Sequence, residues 1–264
     1  MGTLESPGRV TLLTDFGLRD PYVAIMKGVM VGICPRIQFV DITHDIAPQA
    51  VAEGARILAH SWSWFPPGTL HLAVVDPGVG TTRRPLVVEA GSHIFVGPDN
   101  GILSGALQRP GACAFELKAE HYRLPRVSAT FHGRDIFAPA VAWLARGVPA
   151  SEMGDPVWDA LQLNLSVARM GPEGGVGEVV HVDNFGNLIT NIRGEDAAAW
   201  LGKGGKVTVG GEVFTHLART YAEAGPGELL LLVDSNGDLE VAVRGGSAAQ
   251  KLGVVAGGVV ACVD

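Results

Sequence analysis

Four apolar runs in the first hundred residues each give way to an aspartate: residues 9–13 before Asp15, 37–40 before Asp41, 70–75 before Asp76 and 94–97 before Asp99. Runs this short and this rich in Val, Ile and Leu read as strands buried on both faces. Between them, residues 21–32 and 50–60 carry apolar side chains at helical recurrence; residues 86–89 add a strand and residues 136–146 a late helix. This strand–helix rhythm predicts an α/β fold with a mainly parallel sheet flanked by helices, in which ligands gather at the carboxyl ends of the strands. The four aspartates stand at those ends.

Beyond Gly147 the texture changes. Pro149, Pro156, Pro172 and the glycines of residues 171–177 interrupt any helical pattern, and short apolar runs at 179–182, 206–209, 229–233 and 239–243 are spaced by Gly and Asn turns. That spacing predicts a smaller, all-β, barrel-like C-terminal domain. The chain is read as an N-terminal α/β domain over residues 1–150, a linker over 151–176 and a C-terminal β-barrel domain over 177–264.

Composition narrows the partners. A chain of 264 residues buries a substantial core without disulfides or metal. Its net charge of -7, with Lys and Arg scattered, lacks the electrostatic footprint of a nucleic-acid or anionic-lipid binder, so a small-molecule partner is expected. Cys34, Cys113 and Cys262 are odd in number and lack CxxC spacing, which points to reduced thiols and the cytoplasm. The N-terminal residues lack the basic start and apolar core of an export signal, and no apolar run reaches the roughly 18 residues of a spanning helix, so no membrane association is expected. Gly2 and Ser6 formally fit an acylation pattern, but no polybasic stretch supports it and one acyl chain anchors weakly.

Several polar residues carry two readings each. Asp15 precedes Gly17 and suits a ribose diol, as the acidic residue of a dinucleotide fold does, or else caps the next helix. Thr43-His44-Asp45 is a metal corner or a hydrogen-bonded turn, the turn being favoured because no further His lies at helical spacing. Pro98-Asp99-Asn100-Gly101 is a turn in which Asp99 caps or braces. Gly78-Val79-Gly80 lacks the third glycine of a dinucleotide fingerprint, and no Gly-Lys-Ser/Thr occurs, so a phosphate cradle has little support. The segments Val75-Asp76-Pro77-Gly78-Val79-Gly80-Thr81-Thr82-Arg83 and Thr130-Phe131-His132-Gly133-Arg134-Asp135 put Asp76, Arg83 and His132 on Gly-rich turns. Such a trio activates water when assembled; taken singly, the members read equally well as a salt bridge and a turn histidine.

Six blocks, in order, decide between these readings: Thr14-Asp15-Phe16-Gly17, Asp41-Ile42-Thr43-His44, Asp76-Pro77-Gly78-Val79-Gly80, Pro98-Asp99-Asn100-Gly101, Phe131-His132-Gly133-Arg134-Asp135 and Asp183-Asn184-Phe185-Gly186-Asn187. With them the chain resembles, over nearly its whole length, the S-adenosylmethionine (SAM) hydroxide adenosyltransferases, adenosine-forming hydrolases related to the fluorinase and chlorinase. The resemblance implies a homotrimer with each site between the N-terminal domain of one subunit and the C-terminal domain of the next. It implies catalytic roles for Asp76, Arg83 and His132. For the substrate it implies Asp15 at the ribose diol, Phe185 and Asn187 at the adenine, and Asp183 and Ser235 at the methionine ammonium and carboxylate. Asp20, Phe131, Gly133, Glu240 and Arg244 complete the implied substrate-binding set, with Glu240 and Arg244 the weaker members.

The implied reaction is hydrolysis of SAM to adenosine and L-methionine. Its sulfonium departs as a neutral thioether, so no general acid is needed; the enzyme must supply an aligned, poorly solvated nucleophile at C5′. A carboxylate beside Arg83 keeps its charge, and with His132 it orients water and helps remove its proton. The halide users have an aromatic hydroxyl where this chain has Asp76 and a serine where it has Gly133, which favours hydroxide here. Gln49, Tyr22 and Asn236 depart from the fluorinase's tryptophan, serine and arginine. No cofactor or metal is implied, because no step needs an electron sink or a Lewis acid. The alternatives are halogenation at C5′ and a non-catalytic adenosine- or SAM-binding module.

Overall fold

The apolar runs of the first half become β1 (Arg9–Thr14), β2 (Gln38–Thr43), β3 (Leu70–Val74), β4 (Pro85–Ala90), β5 (His93–Pro98), β6 (Cys113–Glu116) and β7 (Pro156–Val157) in a computed structural model that describes residues 8–163 and 168–264. They form one seven-stranded sheet in the order β2-β1-β3-β5-β4-β6-β7. β1 pairs in parallel with β2 and β3, and β3 with β5, whereas β4, β6 and β7 join antiparallel. Only β4 and β7 therefore run against the rest, and the sheet is mainly parallel. Gly91 and Ser92 alone link β4 to β5, too short a connection for a crossover, so those two strands must pair as a hairpin.

Helices α1 (Tyr22–Ile33), α2 (Val51–Ser61), α3 (Ser104–Leu107) and α4 (Ala138–Ala145) cover both faces of this sheet. α1 and α4 bury Met26, Met30, Val141 and Leu144 with Leu12, Leu72 and Val74, while α2 and α3 bury Leu58 and Ala106 with Leu13, Ala73 and Phe95. Burial on both faces explains why β1, β3, β4 and β5 read as continuous apolar runs rather than as alternations, whereas β2, expected to be buried alike, is a largely exposed edge strand. The helix expected over 136–146 starts differently, with a single π-helical turn at Gly133–Phe137 ahead of α4. Pro139 has no N–H to return to the Asp135 carbonyl, which accepts the Leu124 N–H instead at 2.9 Å.

The chain divides into two compact units, Met1–Asn164 and Leu165–Asp264. In the second lie β8 (Arg169–Gly171), β9 (Gly174–Val182), β10 (Leu188–Arg193), β11 (Lys206–Val209), β12 (Glu212–Phe214), β13 (Leu229–Val233), β14 (Asp238–Val243) and β15 (Val259–Val263). They pair antiparallel in the order β12-β11-β15-β9-β10-β14-β13, with β8 beside β9, as a barrel-like sheet. A register shift between Ile189 and Thr190 bends the β9–β10 pair and helps the sheet curl. Two short helices accompany the strands: α5 (Gly194–Gly202) sends Ala197 and Trp200 into the core, and α6 (Ala248–Leu252) sends Ala248. Their signals were present in the sequence. Glu195 and Asp196 fill the first turn of α5, and Ser247 caps α6 by accepting the Gln250 N–H at 3.1 Å. Among the described residues no helix is long and apolar enough to cross a membrane.

Candidate active site

Strand order decides where the chemistry of the first unit collects. β1 is followed by β2 on one side and flanked by β3 on the other, so the connections diverge between the carboxyl ends of β1 and β3. Asp15 follows the first of these strands and Asp76 the second. The turn after Asp76 is closed by Val79 N–H to the Asp76 carbonyl at 3.2 Å and by the Thr81 hydroxyl to the Gly78 carbonyl at 2.7 Å. Gly80 has φ 77°, and a Cβ there would stand 2.3 Å from the Ala129 carbonyl oxygen. Only glycine lets this turn press against the 128–132 loop, and that contact brings Arg83 to His132.

Arg83 Nε donates to both oxygens of Asp76 at 3.0 Å, and its Nη2 donates to Asp76 Oδ2 and to His132 Nδ1, the latter at 2.9 Å. The pair is nearly dry, with the Arg83 side chain 9% and the Asp76 side chain 5% exposed. The guanidinium also lies 5.1 Å from the Phe137 ring centroid. Because guanidinium nitrogens only donate, His132 Nδ1 must accept, which puts the proton of the neutral ring on Nε2. Burial, with the Arg83 charge, pushes the His132 pKa below its ordinary 6.5 and holds the ring neutral.

The loop carrying His132 is fixed from below. Buried Asp135 accepts Arg134 Nε at 2.6 Å and the Ser128 N–H at 2.8 Å. A cleft of about 400 Å³ opens here, lined by Asp76, His132, Phe131 and Gly133 together with Phe16 and Tyr22. The rings of Phe16, Tyr22 and Phe131 meet edge to face at 5.2–6.1 Å. A Cβ on Gly133 would press on Met26 Sδ at 3.2 Å and Phe131 at 3.3 Å.

Other expected residues fall in defined places. Asp15 Oδ2 accepts the Gln49 N–H at 2.9 Å, whereas α1 has no side-chain cap, so Asp15 does not cap that helix. His44 is a buried turn residue between Thr14 and Asp41, not a metal corner. Asp99 braces rather than caps, holding Arg84 at 2.7 Å and the Leu161 N–H at 2.7 Å. Asp20 is exposed ahead of α1 and is not part of the cleft wall.

A second cleft, of about 490 Å³, lies in the second unit and is lined by Phe185, Asn187, Tyr221, Val243, Arg244 and Gly245. Asp183 builds it from behind: Oδ1 accepts the Phe185 and Asn187 N–H groups at 2.8 Å, and Oδ2 accepts Asn187 Nδ2 at 2.9 Å. Glu240 is buried and does not line the cleft. It accepts the Tyr221 hydroxyl at 2.8 Å, and burial raises the pKa of both groups, that of Tyr221 to about 12. Ser235 is exposed on the β13–β14 turn, outside the lining. Tyr221, which sequence reasoning missed, sits in no motif; its one signal is an aromatic residue in a polar loop.

Comparison with known proteins identifies the family. Residues 10–154 match the SAM hydroxide adenosyltransferase N-terminal domain and residues 177–261 the corresponding C-terminal domain. A Salinispora tropica protein named (R)-S-adenosyl-L-methionine hydrolase is 42% identical, covering 94% of this chain and 95% of its own length. A fluorinase of Actinopolyspora mzabensis is 30% identical over 91% of this chain and 92% of its own. The crystal structure of an uncharacterized conserved protein from Thermotoga maritima superposes with a TM-score of 0.89 at 35% identity, covering 97% of this chain and all of that one.

Proposed function

This chain belongs to the SAM hydroxide adenosyltransferase family, and from that premise we propose that it hydrolyses SAM to adenosine and L-methionine, acting on the (R)-sulfonium epimer. The observation that carries the reading is the Asp76–Arg83–His132 chain of hydrogen bonds on one wall of an aromatic cleft. The epimer is taken from the name of the relatives, and it gives the reaction a purpose: a sulfonium is pyramidal, and removing one configuration spares the other.

In the proposed step the water oxygen forms its bond to C5′ as the C5′–S bond breaks, and the bonding pair stays on sulfur as the thioether of methionine. The water proton passes to Asp76 and then to solvent. His132, with its proton on Nε2 and its Nδ1 held by Arg83, is a donor; it orients the water and does not take the proton. Arg83 aims the Asp76 carboxylate through paired hydrogen bonds. Asp15 takes the ribose diol, Phe185, Tyr221 and Asn187 hold the adenine, and Asp183 and Ser235 are assigned to the methionine ammonium and carboxylate. Glu240 acts through Tyr221 and does not itself touch substrate.

The residues assigned to the reaction and those assigned to the adenine line separate clefts, which supports the reading of a homotrimer with sites shared between subunits. Mixing Asp76→Asn and Asn187→Ala chains after dissociation then restores activity; subunits that exchange yet stay dead would place the site in one chain. Reduced cysteines fit a cytoplasmic enzyme. Chromatography of products from each epimer, with and without chloride, tests the reaction. Adenosine from the (R) epimer supports it, 5′-chloroadenosine supports halogenation, and binding without turnover supports a binding module.

A further inference from the structure

The loop that carries Asp15 and Phe16 is held almost entirely by the loop that follows β2. Thr14 Oγ1 lies 2.8 Å from His44 Nδ1 and accepts the Phe16 N–H at 3.2 Å. The Gly17 N–H donates to the His44 carbonyl at 2.8 Å, and the Gln49 N–H donates to Asp15 at 2.9 Å. Gln49 does so at φ 66°, the only positive φ on a non-glycine residue among those described. Strain of this kind persists where the surroundings enforce it, and it clusters at ligand sites. His44, 3% exposed, has Asp41 Oδ1 3.1 Å from its Nε2 on the other side, a close approach without hydrogen-bond alignment, and Asp41 is held by Lys27 Nζ of α1 at 2.7 Å. Hydrogen bonds thus link His44 to Thr14 and Gly17, and Thr14 to Phe16, with the Lys27–Asp41 pair packed against the far side of the ring.

We propose that His44 is a positioning residue for substrate binding, setting through Thr14 and Gly17 the pose in which Asp15 receives the ribose and Phe16 walls the cleft. The inference rests on the proposed reading of Asp15 as the ribose carboxylate. Among the described residues no hydrogen bond of this set goes to Asp76, Arg83 or His132, and only Phe16 touches their cleft, so the effect of breaking it should fall mainly on grip and less on the displacement step. Asn is the informative replacement at position 44. Its side-chain amide reaches the place of Nδ1 and keeps a partner for Thr14, while giving up Asp41; Leu gives up both.

The test measures adenosine affinity by calorimetry, KM and kcat for SAM, and thermal melting, on the full-length protein and its His44→Leu, His44→Asn and Asp41→Asn variants. His44→Leu should weaken adenosine and raise KM together by about tenfold or more, with kcat changing by much less. His44→Asn should recover most of that loss. Should His44→Leu fail to fold, Asp41→Asn decides, since that carboxylate is 40% exposed: it should raise KM and weaken adenosine in parallel at an unchanged melting temperature. The proposal is overturned if folded variants keep wild-type KM and adenosine affinity, if kcat alone falls, or if Asn serves no better than Leu. A wild-type protein that binds adenosine but converts neither epimer would end the hydrolase reading and leave the positioning result standing.

Discussion

Asp76 and His132 share one guanidinium at hydrogen-bond distance inside a cleft of about 400 Å³, whereas Phe185 and Tyr221 flank Asn187 in a cleft of about 490 Å³ with 76% of Phe185 and 45% of Tyr221 exposed. The first arrangement fixes protonation. Buried charges are costly unless paired, so Asp76 stays with Arg83, and burial with the Arg83 charge favours the neutral His132 ring. The second leaves apolar rings uncovered, an arrangement that gains stability only when something flat covers them. On the proposed reading one unit serves the reaction and the other the grip, and substitutions in the two should separate kinetically.

The largest effect should come from the charged cleft. Asp76→Asn or His132→Ala should lower turnover by about 10²–10⁴-fold, the typical loss for one positioned proton-transfer group, while adenosine affinity by calorimetry moves far less. Equal losses in both would make these residues binding groups and erase the contrast. The aromatic cleft should behave oppositely. Phe185→Ala or Tyr221→Ala should weaken adenosine by about 10–100-fold, as loss of a stacking ring does, with a smaller change in kcat at saturating SAM.

A pH profile sharpens the comparison further. The His132 pKa is depressed below 6.5 by burial and by Arg83, so the neutral ring persists above that depressed value and is lost only as pH falls through it. Turnover should be flat near neutrality with an acid limb whose midpoint lies below 6.5. In Arg83→Met the ring titration followed by NMR should move upward, because a positive neighbour is gone and Asp76 is left bare. An unmoved midpoint would deny Arg83 its part in setting the protonation state.

The smallest effect near neutral pH belongs to two other histidines of the same sheet. His71 Nδ1 lies 2.8 Å from Thr11 Oγ1 and its Nε2 lies 3.1 Å from His93 Nδ1, with the His71 ring stacked 4.7 Å from Phe95. Burial, with His93 close by, pushes the His71 pKa down from 6.5 to about 3. The unfolded chain therefore binds the proton that the folded chain refuses, and stability should decline as pH falls from about 6.5 toward 3. Denaturant midpoints measured across that range should fall with a slope that His71→Phe flattens, while activity per folded molecule at neutral pH stays unchanged. A slope that His71→Phe leaves intact would assign the acid sensitivity elsewhere.

Much of this was legible in the residues. The buried strands announced themselves as unbroken apolar runs because both their faces are covered, and the Gly-bearing turns that carry Asp76 and His132 marked two loops that the structure brings together. The antiparallel edge was harder, since a parallel and an antiparallel neighbour share the same apolar pattern and only the two-residue link at Gly91 and Ser92 betrays the reversal. The π-helical turn depends on one missing N–H at Pro139. Tyr221 escaped because its place in the cleft is set by a long-range hydrogen bond to Glu240, 19 residues on, which no local spacing reveals. His44 read as part of a hydrogen-bonded turn because its partner Thr14 lies 30 residues back on β1.

The central claim is that water, aligned by Asp76 and His132, displaces methionine at C5′. Turnover of (R)-SAM in water enriched in heavy oxygen tests it most directly, with the products read by mass spectrometry. The account predicts one heavy oxygen on the 5′-hydroxyl of adenosine and none in methionine, in a reaction that Asp76→Asn suppresses. Heavy oxygen in methionine, or adenosine formed without label, would contradict it.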